Sequence, residues 1–128
     1  MKLRKLEHYN IETVKPADTV RFYTEVLGLE NAPHKRPNVG CPGTWIFVGD
    51  QPAIHINFVD MDQAGKTGAI DHIAFEGEDY HGYCRHLNGL GVPFKTVESP
   101  QFDLAQIYVV DPNDIRIEIN IRGEGIGR

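Results

Sequence analysis

Two cysteines, Cys41 and Cys84, are all that the 128 residues contain. They form no CxxC pair, so no disulfide framework or thiolate zinc knuckle is encoded, and free thiols in a reducing compartment are expected. Basic charge is also short. Thirteen Lys and Arg stand against 18 Asp and Glu, giving a net charge of -5 and a pI near 5.6. A chain of that sign has no field to hold phosphate backbones, which excludes nucleic acid as a partner. No apolar run approaches the ~20 residues that cross a bilayer. The opening "MKLRKLEHYN" is basic but lacks an apolar core and a small-residue cleavage site, so it does not read as a signal peptide. The expected setting is the cytoplasm, with no membrane contact. The remainder is 41% hydrophobic and 24% charged, an ordinary globular composition for one domain over residues 1–128.

The chain reads as two copies of one unit. "KLEHYNIET" (Lys5 to Thr13) and "AIDHIAFEG" (Ala69 to Gly77) each place an acid before a His and then alternate. His8 and His72 lie 64 residues apart (72 − 8), and His55 and Glu118 lie 63 apart (118 − 55). Two matches at nearly one offset point to duplication of a unit of about 60 residues. The first copy runs from about 3 to 60, the second from about 69 to 122, with a linker at about 61–68.

The elements repeat too. Leu6 to Thr13 alternates like a strand. "KPADTVRFYTEVLGLE" carries helix signals, with Pro16 and Asp18 early, an apolar face of Val20, Tyr23 and Leu27, and Gly28 just past the end. "GTWIFVGD" and "PAIHINFVD" read as a hairpin turning at Gly49 to Pro52. In the second copy Ile70 to Glu76 is a strand, "DYHGYCRHLNGLG" a helix interrupted by Gly82, and "VPFKTVES" a short strand. "LAQIYVVDPNDIRIEINI" then forms a hairpin around Asp111 to Asp114. The order is βαβββ, twice. "APHKRPNVGCPG" (Ala32 to Gly43) is a Pro/Gly-rich loop of the kind that borders sites.

Strand side chains alternate between faces. Each site strand has one apolar face, and His8, His55, His72 and Glu118 lie on the other. Three imidazoles and a carboxylate suit a borderline divalent cation, if the strands bring them together.

The stretches "LEHYNIET", "ADTVRFYTEVLGLE", "DHIAFE", "LNGLGVPF" and "YVVDPNDIRIEINI" together resemble the vicinal oxygen chelate superfamily. That superfamily includes glyoxalase I, extradiol dioxygenases, methylmalonyl-CoA epimerase, fosfomycin-resistance proteins and bleomycin-binding proteins. The resemblance covers nearly the whole chain. It implies an α+β fold of two tandem βαβββ modules forming a curved, U-shaped mixed sheet. It also implies one divalent metal ion (Ni, Co, Mn, Fe or Zn) held by His8, His55, His72 and Glu118. Two departures stand out. Glyoxalase I usually has a carboxylate where this chain has His55, and the final hairpin has Asp114 where the family favours Gly.

The resemblance leaves three readings. A glyoxalase-like lyase or isomerase would bind a small substrate through vicinal oxygens, with Glu118 as ligand and catalytic proton carrier. Three neutral His and one Glu⁻ would favour an anionic chelate. Glu76, on the His72 face, is a weaker base candidate. An Fe(II) extradiol dioxygenase would use two His and one Glu, with His55 as base and Tyr108 and Gln106 as pocket groups. A metal-free bleomycin-type binding protein would need no quartet. Arg116 shares the Glu118 face, Trp45 or Phe47 lines the pocket according to register, and "HKRP" (His34 to Pro37) could steer an anion. A homodimer is expected from the family and from the need to cover sheet edges.

Overall fold

The structure is a computed structural model and describes every residue except Gln63, Lys66 and Arg128. The chain divides into two compact units, Met1–Ala64 and Gly65–Arg128. The linker expected at 61–68 includes Gln63 and Lys66, which lie outside the described residues.

The first unit contains β1 (Tyr9–Thr13), α1 (Pro16–Arg21), β2 (Glu30–Asn31), β3 (Gly43–Val48) and β4 (Gln51–Phe58). Its sheet order is β1-β4-β3-β2, with β1 parallel to β4 and the other pairs antiparallel. The second unit repeats this with β5 (Ile73–Gly77), α2 (Tyr80–Leu90), β6 (Lys95–Ser99), β7 (Leu104–Val110) and β8 (Arg116–Arg122). Its order is β5-β8-β7-β6, with β5 parallel to β8. Tandem βαβββ is therefore the fold. The two-residue β2 is the strand hardest to find in the sequence.

The apolar faces are those expected. Ile54 and Ile56 on β4, and Ile117, Ile119 and Ile121 on β8, are almost fully buried. Each such side chain contributes roughly 1.5–3 kcal/mol relative to exposure. Both central strands are thereby fixed in register, because a one-residue slip would turn the Ile rows outward.

Three local readings change. α1 passes into a wider turn over Phe22–Val26, where the Leu27 N–H donates to Phe22 O five residues back. The buried stripe is Thr19, Phe22, Tyr23 and Val26, not Val20, Tyr23 and Leu27. Thr19 can occupy a core position because its hydroxyl meets that of Thr13 at 3.0 Å. Gly28 ends the helix with φ of 71°, as expected of a C′ residue. Gly82 does not interrupt α2. The Asp79 carboxylate accepts from the Gly82 N–H at 3.0 Å and caps the helix, and a Cβ at Gly82 would lie 2.0 Å from Asp79 Oδ2. Finally, β1 and β5 start one residue after His8 and His72, so both histidines stand at strand mouths, not within strands.

The last hairpin closes as expected, with the Asp111 N–H donating to Ile115 O at 2.9 Å. Asp114 takes the left-handed conformation, φ 64°, in place of glycine. Among the described residues no helix is long and apolar enough to cross a membrane.

Candidate functional site

In the first unit the candidate residues form a stack of rings. His55 on β4 pairs across the strands with Trp45 on β3. Its imidazole lies 4.5 Å from the Trp45 ring at 12° and 3.8 Å from the His8 ring at 11°. His8 Nδ1 is 3.0 Å from Glu7 Oε1. Burial first, and then the neighbouring His8, holds the His55 pKa below its ordinary 6.5. Its Nε2 is buried and has no hydrogen-bond partner among the described residues. Such an orphan costs about 1–3 kcal/mol, which a cation would offset. Neutral imidazole with a vacant nitrogen is also the form that binds metal. Stacked rings carry their lone pairs in nearly parallel planes, so His8 and His55 must splay to share an ion.

In the second unit His72 lies between two carboxylates. Its Nδ1 is 2.8 Å from Asp71 Oδ2 and its Nε2 is 2.9 Å from Glu118 Oε2. A neutral ring donates to only one of them. A cation on the Nε2 side would take the place of the second proton, and 2.9 Å is close to the ~3 Å between adjacent ligand atoms with ~2.1 Å bonds. Glu118 is 8% exposed. Its other oxygen accepts from Gln106 Nε2 at 2.9 Å, and the same amide donates to Asn120 Oδ1 at 3.0 Å. Tyr108 pairs with Glu118 across β7 and β8. Burial, and then the Glu118 carboxylate, raises the Tyr108 phenol above 10, so it stays protonated at neutral pH. The Arg116 guanidinium sits 4.8 Å over the Tyr108 ring and 3.5 Å from Asp71 Oδ2.

The repeat extends through these contacts. Asn10 pairs with His55 in one unit and Ala74 with Glu118 in the other. Trp45 faces His55 as Tyr108 faces Glu118, again 63 apart (108 − 45). Glu7 and Asp71 hold Nδ1 of the histidine that follows each. This is the way a second carboxylate fixes tautomer and aims Nε2 at a metal. Those two acids were visible in the sequence as the "acid, then His" repeat, but nothing there assigned them a contact. Asn120 shares the Glu118 face by alternation, and its contact with Gln106 is what the structure adds.

His8, His55 and Trp45 are thus together in one unit, and His72, Glu118, Gln106, Tyr108 and Arg116 in the other. Among the described residues neither unit by itself gathers three His, Cys, Asp or Glu side chains at one point. Other candidates have different partners. Phe47 is 8% exposed with Lys35 Nζ 4.8 Å over its ring, so Trp45 is the aromatic on the His55 face. Arg36 donates to Cys41 O at 2.9 Å and to Asn57 Oδ1 at 3.1 Å, so it ties down the Pro/Gly loop. Glu76 is an exposed strand residue level with Asn120.

A family model for the Glyoxalase/Bleomycin resistance protein/Dioxygenase superfamily matches residues 5–119. The chain belongs to that superfamily. Similar solved structures include a genomically encoded fosfomycin resistance protein, FosX, from Listeria monocytogenes. It is 18% identical, with a TM-score of 0.73 over 96% of this chain and 97% of that one. A glyoxylase/bleomycin resistance protein/dioxygenase domain from Frankia sp. EAN1pec is 18% identical, with a TM-score of 0.74 over 97% and 96%. A lactoylglutathione lyase from Agrobacterium tumefaciens is 16% identical, with a TM-score of 0.67 over the full length of both chains. At these identities the likeness establishes the fold. No curated protein matches the chain in sequence. Superfamily members are often enzymes and typically use a divalent metal.

Proposed function

We propose that this protein is a divalent-metal-dependent enzyme, a glyoxalase-like lyase or isomerase. Its ligands would be His8, His55, His72 and Glu118, and its substrate a small molecule with two neighbouring oxygens. The observation that carries this reading is the repeated acid–histidine pair. Glu7 and Asp71 occupy Nδ1 of His8 and His72, so Nε2 is the ring nitrogen each would turn to an ion; His72 Nε2 meets Glu118 Oε2 at 2.9 Å, where an ion would take the place of a proton, and His55 Nε2 is buried and unmatched.

A bound divalent ion would supply Lewis-acid stabilisation of charge developing on the substrate oxygens. The chain's own groups do the rest. Gln106 holds one Glu118 oxygen and the other faces His72 Nε2 at 2.9 Å, so that carboxylate is fixed at the position where a proton would be taken up. The protonated Tyr108 phenol can donate a hydrogen bond beside it. Trp45 covers one face of His55 and keeps water from it.

One observation favours a second reading. His55 is neutral and enclosed by rings, which would also suit a base outside the ligand sphere of an Fe(II) extradiol dioxygenase. Assay of a panel of 2-hydroxy-carbonyl thiohemiacetals and catechols separates the two. The first reading predicts isomerisation of the former with Ni, Co, Mn or Zn, and the second predicts oxygen uptake with the latter only in the presence of iron. We also propose a cytoplasmic homodimer; sedimentation of the purified chain tests the dimer.

A further inference from the structure

Two residues beyond the candidate ligand on each central strand stands an asparagine, Asn57 after His55 on β4 and Asn120 after Glu118 on β8. Alternation puts each on the same face as that ligand. Asn120 pairs across the strands with Gln106 on β7. The Gln106 amide has two N–H donors, and both are used. Its Nε2 is 3.0 Å from Asn120 Oδ1, directly opposite, and 2.9 Å from Glu118 Oε1, on the diagonal. On the other side Gln106 pairs with Val97, whose side chain carries no polar group. One acceptor leaves an amide free to swing about that bond. Two acceptors fix the plane of the group, and with it the direction of the N–H aimed at Glu118.

The first unit keeps the asparagine and has a different donor. Gly43 pairs with Asn57 as Gln106 pairs with Asn120, at an offset of 63 residues in both strands (106 − 43 and 120 − 57). Glycine has no side chain to donate, and the Arg36 guanidinium fills the place. Its Nη2 is 3.1 Å from Asn57 Oδ1, and a Cβ on Gly43 would lie 2.9 Å from that nitrogen. The asparagine oxygen thus has a side-chain donor in both copies, although the donor is an amide in one and a guanidinium in the other. A residue that only fills strand surface needs no such partner. We propose that Asn120 is a positioning residue that aims the Gln106 amide, and through it the Glu118 carboxylate. Its effect on a metal rests on the reading of Glu118 as a ligand.

The test begins with the full chain freed of metal and labelled with ¹⁵N. The side-chain NH₂ signals of Gln106 are identified by their loss in Gln106→Met. Asn120 is half-buried, so its substitution spares the core. Asn120→Leu removes the acceptor at similar volume and should shift the Gln106 signals and speed their exchange with solvent about 3- to 10-fold. Asn120→Asp keeps the acceptor oxygen and should restore the slow exchange. Competition for metal is then run as a double-mutant cycle. Asn120→Leu should weaken metal about 3- to 10-fold when Gln106 is present. It should change nothing in Gln106→Met, because the asparagine acts only through the amide. Unchanged Gln106 signals in Asn120→Leu, no recovery in Asn120→Asp, or equal losses of affinity with and without Gln106 would each overturn the proposal. Glu118→Gln reads the ligand assignment separately. Metal affinity that survives it, with the Gln106 signals still moved by Asn120→Leu, removes the ligand reading and supports the positioning role.

Discussion

Replacing Glu118 by Gln separates a structural role from a ligand role, because the metal-free site can absorb the change. The amide oxygen takes over the hydrogen bond from Gln106 Nε2, now 2.9 Å from Glu118 Oε1. The new NH₂ then faces His72 Nε2, now 2.9 Å from Oε2. That nitrogen accepts when the ring proton sits on Nδ1, toward Asp71 at 2.8 Å. Every hydrogen bond is re-formed in a side chain of nearly equal volume. The cost to the metal-free protein should be about 1 kcal/mol or less, the difference between a charge-assisted and a neutral bond. A bound metal would lose its one anionic protein ligand and meet an N–H in its place. Groups that merely support ligands change affinity about 10–100-fold, so a ligand should cost at least about 100-fold, or ~2.7 kcal/mol. Thermal melting in the presence of a chelator gives the first quantity, and competition against a chromophoric chelator gives the second. Metal affinity within about 3-fold of wild type would refute the reasoning. So would a large loss of metal-free stability, because it would make Glu118 a folding residue.

Other predictions follow from single contacts. Asp71→Asn and Glu7→Gln should each lower metal affinity about 10–100-fold while sparing the fold, read by the same competition. The only tryptophan, Trp45, stacks on His55, so metal uptake that splays the rings should change its emission, and uptake with unchanged emission would remove His55 from the ligands. In the metal-free protein His55 should titrate below 6.5 by NMR. Its folded pKa is depressed, so the unfolded chain binds more protons, and the contribution of His55 is present above pH 6.5 and is lost as pH falls toward the folded pKa. His55→Phe should remove that part of the acid dependence. Gly89→Ala meets nothing within 4 Å inside α2 and should stabilise by about 0.5–1 kcal/mol, whereas Gly82→Ala displaces the Asp79 cap and should gain nothing, as denaturant melts would show.

Much of this was legible in the sequence because duplication repeats both pattern and offset. The alternation of Ile54 and Ile56, and of Ile117 to Ile121, fixed the site faces before any coordinate, since one face had to be buried. A three-residue loop closed by Asp111 and Ile115 is one register the hairpin sequence allows, and the structure adopts it, with Tyr108 opposite Glu118. What escaped was of two kinds. The α1 stripe was misplaced because Thr19 is buried through a hydroxyl contact with Thr13, and periodicity counts only apolar residues. Gly82 looked like a helix breaker because its partner is a side chain, Asp79, and propensity scales do not see side-chain caps. Glu7 and Asp71 were read as part of a strand pattern. Their contact with the next histidine depends on His8 and His72 standing just outside β1 and β5, a boundary that pairing with β4 and β8 decides.

The proposed function requires one divalent ion per chain. It is tested most directly by elemental analysis of untagged protein purified without chelator, beside His55→Ala and His72→Ala. One equivalent of Ni, Co, Mn or Zn per chain, reduced by either substitution, is the predicted result. Iron that survives His55→Ala would move the assignment to the dioxygenase. No metal in the wild-type protein, and none taken up on titration, would contradict the account.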